Sequence, residues 1–131
     1  MNRGFSLLEL LVVMAVIGLI SALISPNLAA MLSGVERFTL RDGVVSNLAA
    51  LSFRAFALGQ SFDLSETNVN TPLRDGNPVV TMPTGWRLRA DAPIRFYFNG
   101  TCSGGAVELV APNGEIERLR LHAPDCRISA N

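Results

Sequence analysis

No lysine occurs in this 131-residue sequence, and its eleven arginines oppose eleven acidic residues for a formal net charge of zero. The missing lysine points to no function by itself, but the neutral balance argues against electrostatic capture of nucleic acid as the main activity. The balance persists after Pro26. There, ten arginines face Glu36, Asp42, Asp63, Glu66, Asp75, Asp91, Glu108, Glu115, Glu117 and Asp125. Histidine occurs once, as His122, and cysteine twice, as Cys102 and Cys126. These three residues do not supply a four-ligand zinc set. Nothing in the sequence places a serine or cysteine nucleophile beside His122, which reads as a surface residue. No catalytic residue, metal site or cofactor is therefore expected. Ser103-Gly104-Gly105 lacks the strand–loop–helix context of a phosphate cradle and reads as a tight turn. There is no internal repeat or low-complexity tract.

Charge is also nearly missing from the twenty residues Phe5–Ile24, where Glu9 is the one ionisable side chain. At about 1.5 Å rise per residue, such a helix spans a hydrocarbon core of roughly 30 Å. A lone carboxylate there costs a few kcal/mol on insertion scales, which marks it as functional and in need of a partner. Only Met1-Asn2-Arg3-Gly4 precedes the span, and Ser25-Pro26-Asn27 follows it without a small-x-small cleavage pattern. The expectation is a retained membrane helix behind a tiny basic leader.

Gly4-Phe5-Ser6-Leu7-Leu8-Glu9, the apolar run and Pro26 resemble the class III signal of type IV pilins and type II secretion pseudopilins. The resemblance implies that a prepilin peptidase cuts after Gly4 and methylates Phe5. It also implies that Glu9 pairs with the N-terminal amine of a neighbouring subunit during filament assembly. The physics is compatible: an α-amino group titrates near 7.7–8 and is a cation available to a carboxylate in lipid. Phe5 and Glu9 are one helical turn apart, so a self-pair exchanged for a neighbour's amine would fix packing register.

Positive-inside orientation, set by Arg3, places the remainder of the chain outside the cytoplasm. In a bacterium that is the periplasm, where disulfides persist. A Cys102–Cys126 bridge would enclose 23 residues and stabilise by about 2–4 kcal/mol. Two unpaired buried thiols are the alternative.

Beyond Pro26, where a kink or break is expected, helical periodicity resumes. Leu28, Met31, Leu32, Val35 and Phe38 form one stripe, and Leu40, Val44, Leu48, Leu51, Ala55 and Leu58 continue on a shifted face. Gly59 fits a C-cap. The pattern predicts a long, interrupted helix from Ser6 to Leu58, with its first half in lipid. Residues 60–78 read as a loop. Strand candidates follow at Val79–Met82, Trp86–Ala90, Ile94–Phe98, Ala106–Ala111, Ile116–Leu121 and Arg127–Ser129, with a hairpin turn at Pro112-Asn113-Gly114. Ile94, Phe96 and Phe98 are expected to share one face, and Trp86, Phe96, Tyr97 and Phe98 to enter the sheet core. Ile116 is out of phase with Leu119 and Leu121, which suggests a bulge near Glu117–Arg118. Arg118, Arg120 and Arg127, interleaved with Glu115, Glu117 and Asp125, read as a solvated mixed-charge face. The fold class is α+β: a helix covering one face of an antiparallel meander. The division is 1–4 leader, 5–26 transmembrane half-helix, 27–59 amphipathic half-helix and 60–131 β-rich periplasmic domain.

Gly85-Trp86, Ile94-Arg95-Phe96, Asn99-Gly100, Ser103-Gly104-Gly105 and the late Arg127-Ile128 further resemble the H-type minor pseudopilins and the related FimT-type minor pilins. Asp125-Cys126 stands where those families place a glycine. The dispersed acids Asp91, Glu108, Glu115, Glu117 and Asp125 do not form a calcium loop like that of the major pseudopilin. The resemblance implies a structural subunit of the type II secretion pseudopilus, anchored in the inner membrane with its N-terminus cytoplasmic. Its partners would be other pseudopilins in a helical filament, the prepilin peptidase, the inner-membrane assembly platform and the lipid bilayer; nucleic acid is not expected among them. The alternatives are a minor type IV pilin serving pilus assembly, adhesion or DNA uptake, and a membrane-tethered periplasmic binding domain that never polymerises.

Overall fold

The computed structural model describes residues 4–130, apart from the side chains of Ser25 and Pro26. The leader residue Arg3 lies outside this range. Helix α1 runs over Leu7–Ala49 and α2 over Leu51–Leu58. Six strands follow: β1 Phe62–Leu64, β2 Arg87–Ala90, β3 Ile94–Phe96, β4 Gly105–Val110, β5 Ile116–His122 and β6 Arg127–Ala130. The chain divides into two compact units, Met1–Thr39 and Leu40–Asn131.

The expected break does not fall at Pro26. The α1 assignment passes through this position, and the side chain of Pro26 lies outside the described residues. The break is at Ala50, where ψ is −8° and the N–H is shared between the carbonyls of Ser46 and Asn47. Across this break Val44, Leu48, Leu51 and Ala55 keep a 4-3-4 spacing, and all four are buried. Each leucine so placed stabilises by about 1.5–3 kcal/mol relative to exposure. Gly59 ends α2 in the left-handed region, φ 58°. Its N–H bonds to Phe56 and that of Gln60 to Ala55, a Schellman arrangement. Arg74 adds a guanidinium hydrogen bond of 3.2 Å to the Leu58 carbonyl, on the negative end of the helix.

The sheet is not a simple meander. Strands β2-β4-β5-β6 form a four-stranded antiparallel sheet, while β3 pairs with β1 in a separate two-stranded one. The polar window 60–78 hides β1, because Phe62-Asp63-Leu64 is too short to show a period against its neighbours. Its partner register is Phe62↔Phe96, with the two rings stacked at 5.4 Å. Val79 and Val80 are buried without forming a strand. Their N–H groups bond to Thr71 and Val69 across a loop that Arg54 braces. From α2, Arg54 donates to the carbonyls of Pro78 and Val79 at 3.0 and 2.9 Å and to the Asp75 carboxylate.

Strand β3 stops at Phe96, two residues early. Tyr97 and Gly100 close a turn, Gly100 N–H to Tyr97 carbonyl at 2.9 Å, which ends the period-2 alternation. Phe98 is therefore 62% exposed and Tyr97 42% exposed, so neither joins the core, while Trp86 is half-buried. No bulge interrupts β5, whose pairing with β4 is continuous from Val110↔Ile116 to Gly105↔Leu121. Glu117 is the residue in phase with Leu119 and Leu121, and Ile116 faces outward. The result is an α+β, pilin-like arrangement: a long apolar N-terminal helix plus antiparallel sheets.

Candidate functional site

Gly4, Phe5 and Ser6 precede the helix, and Phe5 is 81% exposed. Ser6 is the N-cap of α1. The Glu9 N–H donates to its hydroxyl at 3.2 Å, so Ser6-Leu7-Leu8-Glu9 sets a serine at the cap and a glutamate three residues later. This is the spacing of a capping box, a signal present in the sequence and passed over there. Glu9 thus lies in the first helical turn, where the helix dipole favours a negative charge. Among the described residues its carboxylate has no hydrogen-bond or ion-pair partner.

From Leu7 to Ile24 the helix has a mean hydropathy of 2.8, and none of this span is buried. Large apolar side chains are exposed on all sides, from Leu7 through Val12, Ile17 and Leu23. A helix apolar all round with no protein cover suits lipid or the interior of an assembly. Further along, Leu28, Met31, Leu32, Val35 and Phe38 are each more than half exposed. Their three- and four-residue spacing makes them one stripe.

In the globular unit Cys102 and Cys126 form a disulfide with their Cα atoms 5.9 Å apart. It joins the chain leaving β3 to the residue that enters β6. Cys126 adopts φ 53°, uncommon for a non-glycine residue. The turn at Gly104 and Gly105 is crowded. A β-carbon on Gly105 would stand 2.8 Å from Ile94 Cγ1, which explains glycine there sterically.

His122 does have a serine beside it: Nε2 lies 2.7 Å from Ser129 Oγ, across the β5–β6 pair. Sequence reasoning missed this because Ser129 reaches His122 through strand register. Both residues are exposed, and no carboxylate bonds to the ring among the described residues. The pair lacks the orienting group of a nucleophilic triad. No cluster of three or more His, Cys, Asp or Glu able to hold a metal ion is found among the described residues.

The mixed-charge reading of the C-terminal strands changes in three dimensions. Glu117 turns to the helix side, where Arg41 binds it, and this depresses its carboxyl pKa while raising that of Arg41. Asp125 bonds to Arg127 at 2.7 Å, which lowers the carboxyl and raises the guanidinium. With Glu117 removed from the outer face, Arg118 and Arg120 stand there without it.

Residues 1–25 match the family model described as the prokaryotic N-terminal methylation motif, the prepilin signal of type IV pilins and pseudopilins. No curated protein and no solved structure matches this chain. The motif and the pilin-like fold support a protein of pilin or pseudopilin type. Such a motif implies, in general, processing by a prepilin peptidase and assembly into pilus- or pseudopilus-like filaments. One apolar N-terminal helix fits a single-pass inner-membrane anchor.

Proposed function

We propose that this protein is a minor pseudopilin, a structural subunit of a type II secretion pseudopilus that acts by assembly and contact and is not an enzyme. The observation that carries the reading is Glu9, a carboxylate without a partner among the described residues, in the first turn of an uncovered apolar span, inside a methylation motif. Cleavage after Gly4 would create an amino group at Phe5. In a low-dielectric bundle, the Glu9 carboxylate of one subunit and the Phe5 amine of the next each supply the charge the other lacks. Pro26 would sit at the end of the lipid span, and the stripe from Leu28 to Phe38 would pack against neighbouring helices. The globular unit would lie in the periplasm, where its disulfide is stable.

Replacement of Glu9 by alanine tests this directly. Membrane insertion should persist or improve, because a charge leaves the hydrocarbon, while cross-linking to other filament subunits should fall sharply. Wild-type levels of co-assembly by Glu9→Ala would sink the proposal and favour a tethered periplasmic domain. A minor type IV pilin is the second reading. It draws on the same motif, which pilins and pseudopilins share.

A further inference from the structure

Strand alternation sorts the charges of the four-stranded sheet by face. Leu88, Leu109, Leu119 and Leu121 are buried on one side. By the strand register, Arg87 and Arg89 of β2, Arg118 and Arg120 of β5 and Arg127 of β6 project from the other. All five are exposed. On a strand, alternate residues stand about 6.6 Å apart and neighbouring strands about 4.8 Å, so these guanidinium groups share one patch.

Acidic residues neutralise this patch only in part. Arg118 bonds to Asp91 at 2.7 Å and lies 3.8 Å from Glu108, and Arg127 bonds to Asp125. Arg87, Arg89 and Arg120 have no acidic partner among the described residues. Elsewhere in the same unit Arg41, Arg54 and Arg95 are each tied to a carboxylate, and Arg74 donates to the Leu58 carbonyl. Three of the four arginines of this unit without a carboxylate partner among the described residues therefore lie on this face.

We infer that the outer face of the β2-β4-β5-β6 sheet is a docking surface for an acidic polypeptide. Arginine binds carboxylates in a planar, two-bond geometry, and it is the charged residue enriched in protein interfaces. An extended acidic segment repeats its carboxylates at the same interval as Arg87–Arg89 and Arg118–Arg120. A nucleic-acid backbone fits less well. Glu108 lies in the row between Arg89 and Arg118, and Asp91 stands against Arg118, so an unbroken line of phosphates would meet two carboxylates. A polypeptide can put a donor opposite Glu108 and an apolar side chain on the neighbouring Ile116, which is 57% exposed. This inference rests on sheet register and is independent of filament assembly.

The test is fluorescence anisotropy with the full-length chain in a neutral detergent. The probes are a labelled peptide of alternating glutamate and serine and, separately, a labelled DNA duplex. The peptide should bind at low salt. Arg89→Glu and Arg120→Glu should each weaken it by about tenfold, whereas Arg37→Glu, which makes the same charge change on α1, should not. If either reversal impairs folding by circular dichroism, Arg89→Gln and Arg120→Gln should give a smaller loss in the same order. No peptide binding by the wild type, or equal weakening by Arg37→Glu, would overturn the inference. Duplex binding that is tighter than peptide binding and depends on the same arginines would replace the acidic polypeptide by nucleic acid.

Discussion

Arg41 of α1 grips Glu117 of β5 through two hydrogen bonds, 2.8 Å from Nε to Oε2 and 2.5 Å from Nη2 to Oε1. The pair ties helix to sheet and removes a carboxylate from the outer sheet face. Arg41 holds the Glu117 carboxyl below its ordinary value of 4.5. On acidification the unfolded chain therefore takes up this proton first. The contribution of the pair is complete above pH 4.5 and disappears as pH falls below it through the native value. Both side chains are about a third exposed, so the contribution is at most about 1 kcal/mol. Thermal melts from pH 6 to 3 should show a shallower acid slope for Glu117→Gln than for wild type. A residual slope should remain, because Asp75 and Asp125 are also lowered, Asp75 chiefly by the Asn77 N–H.

Arg54 should matter more than a surface arginine. Its guanidinium serves two backbone carbonyls and the Asp75 carboxylate, and it holds the loop that buries Val79 and Val80. Arg54→Ala strands those carbonyls and should cost about 1–3 kcal/mol. Arg37→Ala, with one long 3.4 Å bond on the exposed face of α1, should be near neutral. Urea melts of the two variants check the contrast, and equal midpoints would refute it.

Much of this architecture was legible in the residues. The Val44–Leu48–Leu51–Ala55 stripe, the Gly59 cap and the 112–114 hairpin follow from local periodicity and turn chemistry. The prepilin motif was readable because glycine, phenylalanine and glutamate fall at fixed spacing. What escaped was set by pairing at a distance. β1 is recognised only through Phe62 stacking on Phe96, and Val79-Val80 are buried through loop hydrogen bonds instead of a strand. A charge count could not find the arginine face, because Glu117 and Arg118 are adjacent in sequence yet point to opposite sides. The Ser6–Glu9 cap was visible but masked by attention to Glu9 as a charge in lipid.

Processing gives a prediction independent of assembly. If Gly4-Phe5 is the scissile pair, the mature chain begins with methylated Phe5. That leaves Ser6 to cap the helix one residue from the new terminus. Intact mass from a host with a prepilin peptidase should show loss of four residues and gain of one methyl group. Gly4→Leu should accumulate as full-length precursor. A mature chain that retains Asn2, or a Gly4→Leu chain trimmed normally, would rule the site out.

Cys126 combines two demands, a disulfide to Cys102 and a left-handed backbone. Replacement of Cys102 by serine removes the bridge alone and should cost about 2–4 kcal/mol. Cys126→Ala removes the bridge and leaves a β-carbon at φ 53°, whereas Cys126→Gly removes the bridge but suits that backbone. The melting temperatures should therefore rank wild type highest, then Cys126→Gly, then Cys126→Ala, with the two variants separated by roughly 1 kcal/mol of αL strain. Free-thiol counting on non-reduced wild type should give none, and two reactive thiols per chain would refute the bridge. Should Cys126→Ala prove as stable as Cys126→Gly, the left-handed conformation at 126 would be a product of the bridge and not a property of the turn.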